Sequence, residues 1–208
     1  MNILATSDLH GNISTYKKLA YQAKNPDIDI IIIAGDLSSF SANNDEEIVK
    51  SIFFPLKKPV LFIMGNDDEY EWKSENNITN INQKKFTFHD IEFVGYQYTN
   101  PFVGGEFEKT EKEQEVNFGK LSKIITTETI LVTHGPCYQI LDKTSTGYNV
   151  GSKALNNLCK SANPKYHLFG HIHEDFGSRD NHFNIAYPIA KKFLILNLKT
   201  SSFDYIKP

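Results

Sequence analysis

The sequence has little arginine, little cysteine and no long apolar run. Only one of its 22 basic residues is an arginine, Arg179, and the formal net charge is −3. Nucleic acids and anionic membrane surfaces are bound by basic, arginine-rich faces, so both partners are disfavoured. A transmembrane helix needs roughly 18 apolar residues in succession, and none is expected here. Residues 1–8 also lack the basic start of a signal peptide.

The two cysteines, Cys137 and Cys159, have a spacing typical of neither a disulfide framework nor a metal-binding motif. We expect two reduced thiols in a cytoplasmic protein. The chain has 208 residues, of which 40% are hydrophobic and 23% charged, as in an ordinary folded protein. This length predicts a single domain over residues 1–208.

Short apolar runs alternate with amphipathic segments along the chain. This alternation predicts a mixed α/β domain with helices on the outer faces. The predicted helices cover residues 13–23, 45–56 and 151–160. The predicted strands cover residues 2–6, 30–34, 60–64, 84–89, 91–96, 130–133, 166–169, 183–185 and 193–198.

Residues 99–118 have no clear pattern, with Gly104-Gly105 followed by a charged run. The simpler interpretation is a solvated loop and helix. The alternative is a flap over a functional site, hinged at the two glycines.

Polar, ligand-type residues follow five of the predicted strands. In α/β sheets, ligands bind at the carboxyl ends of strands, so these residues are expected to lie near one another. Each element alone is weak evidence, because Gly35-Asp36 can be a turn and His134 a structural histidine. The ordered set is Asp8-Leu9-His10, Gly35-Asp36, Gly65-Asn66-Asp67, His134-Gly135-Pro136 and Gly170-His171-Ile172-His173.

This ordered set resembles the calcineurin-like metallophosphoesterase superfamily, whose pattern runs D-x-H, G-D, G-N-H-[DE], H and G-H-x-H. The resemblance extends from Asp8 to His173, and residues 133–152 are similar to small archaeal and bacterial phosphodiesterase-like members. It implies an α/β fold built as a four-layer α/β/β/α sandwich of two mixed sheets.

The resemblance also implies two divalent metal ions. The first would be held by Asp8, His10, Asp36 and His173, and the second by Asp36, Asn66, His134 and His171. Asp36 would bridge the ions, and Asp36, Asn66 and His134 would be the catalytic residues. Imidazole and carboxylate ligands suit Mn²⁺, which we favour, with Fe, Zn²⁺, Ni²⁺, Co²⁺ or Mg²⁺ as alternatives.

The charges of such a centre suit phosphoester hydrolysis. Two divalent ions, two aspartates and a bridging hydroxide leave about one positive charge to hold a phosphate oxygen. The hydroxide would attack phosphorus in line. We therefore predict a metal-dependent phosphoesterase, a phosphodiesterase rather than a monoesterase, acting on a small phosphoester substrate. The alternatives are a nuclease of the same fold and a non-catalytic scaffold, and homo-oligomerisation is left open.

The sequence departs from the family pattern at Asp67, where members of the family carry a histidine. That histidine is often assigned as the general acid, and a carboxyl group with a reference pKa of about 3.9 replaces it poorly. Substrates with good leaving groups are therefore expected to react best. A structural turn residue is the simpler interpretation of Asp67.

Five further residues have weaker functional interpretations. His167 is expected to be a buried structural residue, and His89 and His182 to be exposed loop residues. Arg179 is expected to be solvated, with a phosphate clamp as the alternative. Cys137 could line the pocket but lacks a base partner for catalysis.

Overall fold

Two six-stranded sheets form the centre of the protein in the computed structural model, which describes residues 1–38 and 45–208. In spatial order, the first sheet contains β12 (Ser202–Ile206), β11 (Phe193–Asn197), β1 (Asn2–Thr6), β2 (Ile30–Ala34), β3 (Val60–Ile63) and β4 (Ile78–Asn80). The second contains β5 (Lys85–Phe88), β6 (Ile91–Tyr96), β7 (Thr129–Thr133), β8 (Tyr166–Phe169), β10 (His182–Asn184) and β9 (Gly177–Arg179).

Both sheets are mixed, with a parallel centre; one edge of the first sheet and both edges of the second are antiparallel. Strands β1 to β4 are parallel, whereas β11 runs antiparallel to β1. In the second sheet β6, β7, β8 and β10 are parallel, and the edge strands β5 and β9 are antiparallel. The carboxyl ends of the parallel strands carry the loops described below.

Helices cover the outer face of each sheet. They are α1 (Ile13–Gln22), α2 (Asp45–Phe53), α3 (Glu111–Leu121), α4 (Lys153–Ala162) and the short α5 (Tyr187–Ala190). Helices α1 and α2 pack on the first sheet, and α3 and α4 on the second. Side-chain caps fix three helix starts, because Asn12, Thr110 and Ser152 each accept a backbone N–H of the first turn.

The alternation of side chains along β2 explains why this strand is entirely apolar. Ile30 and Ile32 face the core between the sheets, where they join Phe93 and Val132 of the second sheet. Ile31 and Ile33 face the helices on the other side. Because both faces are buried, the strand has no polar alternation. The predicted α/β fold with two mixed sheets flanked by helices is confirmed.

Several element bounds differ from the prediction. The predicted helix over 45–56 ends at Phe53, and Phe54–Leu56 form a 3₁₀ turn around Pro55. Residues 99–118 combine a loop with the start of α3. Three strands were not predicted: β4 and β9 have three residues each, too few for a pattern, and β12 is an exposed edge. Within the described ranges, no helix is long and apolar enough to cross a membrane.

Candidate metal centre

Five loops meet where the two sheets abut, and each follows a parallel strand. The loops after β1, β2 and β3 come from the first sheet, and those after β7 and β8 from the second. Backbone hydrogen bonds join them directly, since Asp8 N–H donates to the Gly35 carbonyl and Gly170 N–H to the His134 carbonyl, both at 3.0 Å. The His171 N–H, which donates to the Asp8 carboxylate at 3.1 Å, joins the two sets of loops, so residues 163 positions apart in sequence become neighbours.

Four of the sequence-predicted site residues have a left-handed backbone. The φ angles are 60° at Asp8, 44° at His10, 51° at Asp36 and 70° at His171. A residue other than glycine adopts the left-handed backbone conformation at a cost of roughly 1–3 kcal/mol, and such residues cluster at functional sites. The strained backbone conformations therefore lie in the same loops that carry the ligand-type residues.

Glycines let these loops approach one another closely. A Cβ atom at Gly65 would overlap the Asp36 carboxylate, and one at Gly170 would overlap the Asp8 carboxylate. The glycines of the motif are therefore explained by space for neighbouring carboxylates.

The hydrogen bonds of His134 fix which of its nitrogens is free. The side chain is fully buried, and Nδ1 donates to the Ala34 carbonyl at 2.8 Å, because a carbonyl can only accept. Nε2 lies 3.1 Å from Asp36 Oδ1 and 3.1 Å from Asn66 Oδ1. The Asn66 oxygen is assigned, because its Nδ2 donates to Asp67 Oδ1 at 2.8 Å.

Three atoms that carry lone pairs therefore face one another at a buried point: His134 Nε2, Asp36 Oδ1 and Asn66 Oδ1. A neutral imidazole would set its Nε2 lone pair against two oxygens, which is unfavourable unless a cation or a proton lies between them. Burial opposes a charge on His134, but the Asp36 carboxylate raises its pKa to about 10. The same arrangement fits a divalent cation, since a metal-bound histidine commonly donates its other N–H to a carbonyl.

A second group of ligand atoms lies on the other side of Asp36. Asp8 Oδ1 is 3.2 Å from His173 Nε2, which is 3.5 Å from His10 Nε2. His10 Nε2 in turn lies 3.9 Å from Asp36 Oδ2. The atoms of Asp8, His10 and His173 lie close enough together to hold one metal ion.

Asp36 contacts both groups. Its Oδ1 faces His134 and accepts the Asp67 N–H at 3.0 Å, while its Oδ2 faces His10. Burial alone would raise the pKa of Asp36, but the charge and hydrogen bond of His134 hold it well below its usual range. A buried carboxylate with one oxygen toward each group can bridge two cations.

His171 joins the cluster less directly. Its backbone N–H donates to both oxygens of Asp8 at 3.1 Å, and its ring stands edge-on to His134 with centroids 5.2 Å apart. Burial and the neighbouring His134 lower the pKa of His171 to about 4, so the ring is neutral and can act as a ligand.

Asp67 lies in a turn, as the simpler interpretation predicts, because Asp68 N–H donates to the Gly65 carbonyl at 3.2 Å, and it also belongs to the cluster. Its Oδ2 lies 3.4 Å from His10 Nδ1, and His10, Asp36 and Asp67 form one of the potential metal-binding groups. Burial and the charge of Asp36 raise the pKa of Asp67 above its ordinary value. A third carboxylate therefore faces the centre.

Asp68 is a positioning residue that sequence reasoning did not single out. Its buried carboxylate accepts the N–H groups of Leu37, Ser38 and Gly65 at 3.2, 2.8 and 2.8 Å. It thereby ties the loop of Asp36 to the loop of Asn66. The acidic residue that ends the family pattern was the available signal.

A cavity of about 480 Å³ opens above the cluster. Two loops form its rim, residues 100–108 and 142–150, and each contributes an exposed aromatic side chain. Phe102 is 69% exposed and stands edge-on to His171, and Tyr148 is 74% exposed. No lysine or arginine is among the described residues that line it. Those residues are His10, Asp36, Asn66, Asp67, Phe102, Thr144, Ser145, Thr146, Tyr148, Val150, His171, Ile172, His173 and Glu174.

The rim loop of Phe102 is held by one carboxylate. Glu108 accepts the N–H groups of Phe102, Val103 and Gly104 at 2.8 to 2.9 Å. A Cβ at Gly105 would lie 2.8 Å from the Asn66 carbonyl, so this loop packs closely against the backbone of Asn66. The flap motion considered for residues 99–118 stays a prediction.

Some of the remaining predictions from the sequence are confirmed, and others are wrong. His167 is buried and His89 exposed, as predicted. His182 was predicted to be exposed, which is wrong, because it lies in β10 with 9% exposure. Arg179 donates to the Gln139 carbonyl at 3.0 Å and does not line the cavity. Cys137, for which pocket lining was one interpretation, is buried under α4 and does not line the cavity.

A sequence model of the calcineurin-like phosphoesterase family matches residues 1–175 of the chain. A UPF0046 protein of Caenorhabditis elegans is 26% identical over 207 residues, covering 87% of this chain and 66% of that protein. A protein of Ruthia magnifica subsp. Calyptogena magnifica named "Probable cyclic nucleotide phosphodiesterase" is 26% identical over 165 residues, covering 76% of this chain and 68% of that protein. The chain thus spans about two thirds of the length of these relatives.

Among solved structures, TT1561 of Thermus thermophilus superposes on this chain with a TM-score of 0.77. The sequence identity is 16%, and the alignment covers 99% of this chain and 98% of that chain. At this identity the likeness shows a common fold.

Proposed function

The chain belongs to the calcineurin-like phosphoesterase family, and we propose that it is a dinuclear metal-dependent phosphodiesterase for small substrates. One observation carries the proposal: the Nε2 lone pair of buried His134 faces the oxygens of Asp36 and Asn66 at 3.1 Å. A proton or a cation would satisfy these lone pairs, and membership of a metallophosphoesterase family favours a divalent cation.

We assign the ligands as the motif predicts. Asp8, His10, Asp36 and His173 would hold one ion, and Asp36, Asn66, His134 and His171 the other, with Asp36 shared. Two divalent cations, which we propose to be Mn²⁺, supply a Lewis acid for phosphoryl oxygens and a water acidic enough to ionise near neutral pH. The absence of thiolates from this set favours a catalytic over a structural site.

The chain's own residues set the charge and orientation of the centre. Asp8 and Asp36 bring two negative charges, and Asn66 brings an oxygen without a charge. Asp67, beside His10, adds a further carboxylate to the cavity wall. The Ala34 carbonyl orients His134, and the His171 backbone N–H orients Asp8.

The cavity favours a phosphodiester with a single phosphate. Its described lining has no lysine or arginine and contains Asp67 and Glu174, so a second phosphate would meet negative charge. The exposed rings of Phe102 and Tyr148 offer apolar surface to the rest of the substrate. The name of the Ruthia magnifica relative also denotes a small diester substrate.

The experiment is metal analysis of the purified protein combined with hydrolysis of bis-p-nitrophenyl phosphate. We expect Mn²⁺-dependent release of p-nitrophenol, loss of turnover in a chelator and recovery on adding Mn²⁺ back. The same assay on p-nitrophenyl phosphate separates diesterase from monoesterase. Protein that binds no divalent metal, or that hydrolyses neither ester with metal bound, would contradict the proposal.

A further inference from the structure

A second cluster of ligand-type side chains lies in the core under α4, away from the cavity. Cys137 follows β7, Cys159 lies in α4, and His167 lies in β8. Their side chains are 0%, 6% and 0% exposed. The two sulfur atoms are 3.4 Å apart, and Cys137 Sγ is 3.8 Å from His167 Nδ1. The sequence spacing did not indicate this proximity.

The protonation of His167 follows from its neighbours. The Thr133 hydroxyl donates its only proton to the Gly135 carbonyl at 2.6 Å, so it must accept from His167 Nε2 at 2.7 Å. Neutral His167 then carries its proton on Nε2, and its Nδ1 keeps a lone pair, 3.0 Å from His182 Nδ1 and 3.8 Å from Cys137 Sγ. Burial and the neighbouring His182 hold the pKa of His167 well below its usual range, which keeps it neutral.

His182, in β10, lies beside His167. Its Nδ1 lies 3.0 Å from His167 Nδ1, and the two rings are nearly perpendicular, at 84°. Burial lowers the pKa of His182 as well. The ligand atoms of Cys137, Cys159 and His167 lie close enough together to hold one ion, and His182 flanks this group.

The geometry points to a structural zinc site: we propose that Cys137, Cys159 and His167 bind one Zn²⁺, with the ring of His182 turning in as the fourth ligand. Bonds of about 2.3 Å to sulfur and about 2.0 Å to nitrogen set tetrahedral ligand spacings of roughly 3.3–3.8 Å. The 3.4 Å between the two sulfurs and the 3.8 Å from Cys137 Sγ to His167 Nδ1 are close to these spacings. The hydrogen bond from Nε2 to Thr133 is the outer contact typical of a metal-bound histidine.

The charges also suit zinc. Each thiol releases its proton to solvent on binding, and two thiolates neutralise Zn²⁺, so a core site gains no net charge. Thiolates select zinc over Mn²⁺, whereas the Asp and His centre above has no sulfur. The two sites therefore take different metals.

Cobalt distinguishes this site from the catalytic centre. The reduced protein is stripped with a chelator, its thiols are counted, and Co²⁺ is titrated in. We expect a thiolate-to-cobalt charge-transfer band that Zn²⁺ abolishes, because only the core site has sulfur. Asp36→Asn is the matched control, which alters the catalytic centre and keeps the band.

Two variants assign the ligands. Cys137→Ser and Cys159→Ser should each lose the band and bind about one Zn²⁺ fewer than the wild type. Wild-type protein with two free thiols and no such band would overturn the proposal, even if either variant failed to fold. A band without phosphodiesterase activity would leave this site standing and refute the proposed function instead.

Discussion

The floor and the rim of the cavity are built on opposite principles. The floor is the set of ligand-type residues at the strand ends, where side chains are locked by hydrogen bonds and four backbones are left-handed. The rim is the pair of loops 100–108 and 142–150, where Phe102 and Tyr148 point largely into solvent. Preorganised groups are needed where charge develops in a reaction, whereas adaptable surface is sufficient for recognition. The floor should therefore control turnover, and the rim substrate preference.

The largest effect is expected from the floor. Asp36→Asn keeps the shape of the side chain but removes the charge that faces both ligand groups. We expect kcat/KM for bis-p-nitrophenyl phosphate with Mn²⁺ to fall about 10²- to 10⁴-fold, equivalent to several kcal/mol of transition-state stabilisation. Circular dichroism checks that the fold persists. A fall of less than tenfold in well-folded protein would contradict the bridging role.

The floor was predictable from the sequence because each of its residues lies in the loop that follows a strand. Asp8, Asp36, Asn66, His134 and the two histidines after β8 could be placed by that rule alone, and the family pattern supplied their grouping. The conformation at Asp8 and Asp36 could not be foreseen, because a left-handed backbone is set by contacts between distant loops.

The rim was not predictable, for a physical reason. Phe102 and Tyr148 lie in loops without periodicity, and their exposure depends on how the loops fold back over the strand ends. The contact between the rim loop and the Asn66 carbonyl is also non-local. Similarly, Cys137 and Cys159 are brought together only by the packing of α4 on the second sheet.

The leaving group provides the next test of the floor. Both Asp67 oxygens face donors, the Asn66 amide at 2.8 Å and His10 at 3.4 Å, so Asp67 acts as an acceptor. General acids contribute about 10²- to 10⁴-fold, so we expect kcat for a p-nitrophenyl diester to exceed that for an alkyl diester by more than ~10²-fold. Asp67→His should accelerate the alkyl ester selectively. Equal rates on both esters would refute this.

Asp68→Asn tests the hydrogen bonds that tie the loop of Asp36 to the loop of Asn66. Asp68 touches no substrate, but an amide cannot accept all the hydrogen bonds that hold the loops of Asp36 and Asn66. Outer contacts of this kind are typically worth about 10–100-fold, so we expect the Mn²⁺ concentration for half-maximal activity to rise by about that factor. Excess Mn²⁺ should restore most of kcat. A decrease in thermal stability with unchanged metal dependence would limit Asp68 to folding.

Substitutions in the rim should change KM rather than kcat. Contacts with an aromatic ring contribute about 0.5–1.5 kcal/mol, so Phe102→Ala or Tyr148→Ala should raise KM about 2- to 12-fold for a substrate with a ring beside the phosphate. Thymidine 5′-p-nitrophenyl phosphate and methyl p-nitrophenyl phosphate share a leaving group, and only the first should be affected. Tyr21→Ala, 71% exposed in α1, is the control. Equal changes for both substrates would exclude ring recognition.

The smallest effect concerns Glu108, which joins rim to floor by fixing the Phe102 loop. Backbone N–H groups of Phe102, Val103 and Gly104 outweigh the effect of burial and lower the pKa of Glu108 from 4.5. Because the pKa of Glu108 is lower in the folded loop than in the unfolded chain, the ionised carboxylate stabilises the folded loop above pH 4.5. This stabilisation is lost as the pH falls through the pKa that Glu108 has in the folded loop. Amide exchange at Val103 and Gly104, corrected for its intrinsic pH dependence, should therefore lose protection in acid.

Glu108→Gln removes this dependence, because a glutamine does not titrate. At neutral pH we expect the variant to expose the Val103 and Gly104 amides as the wild type does in acid, and to raise KM for the thymidine ester by about twofold to threefold, since each lost charge-assisted hydrogen bond loosens the loop. Glu115→Gln, on α3, is the matched control. If protection of the two amides is identical in Glu108→Gln and wild type, the rim is held by its packing against the floor rather than by this carboxylate.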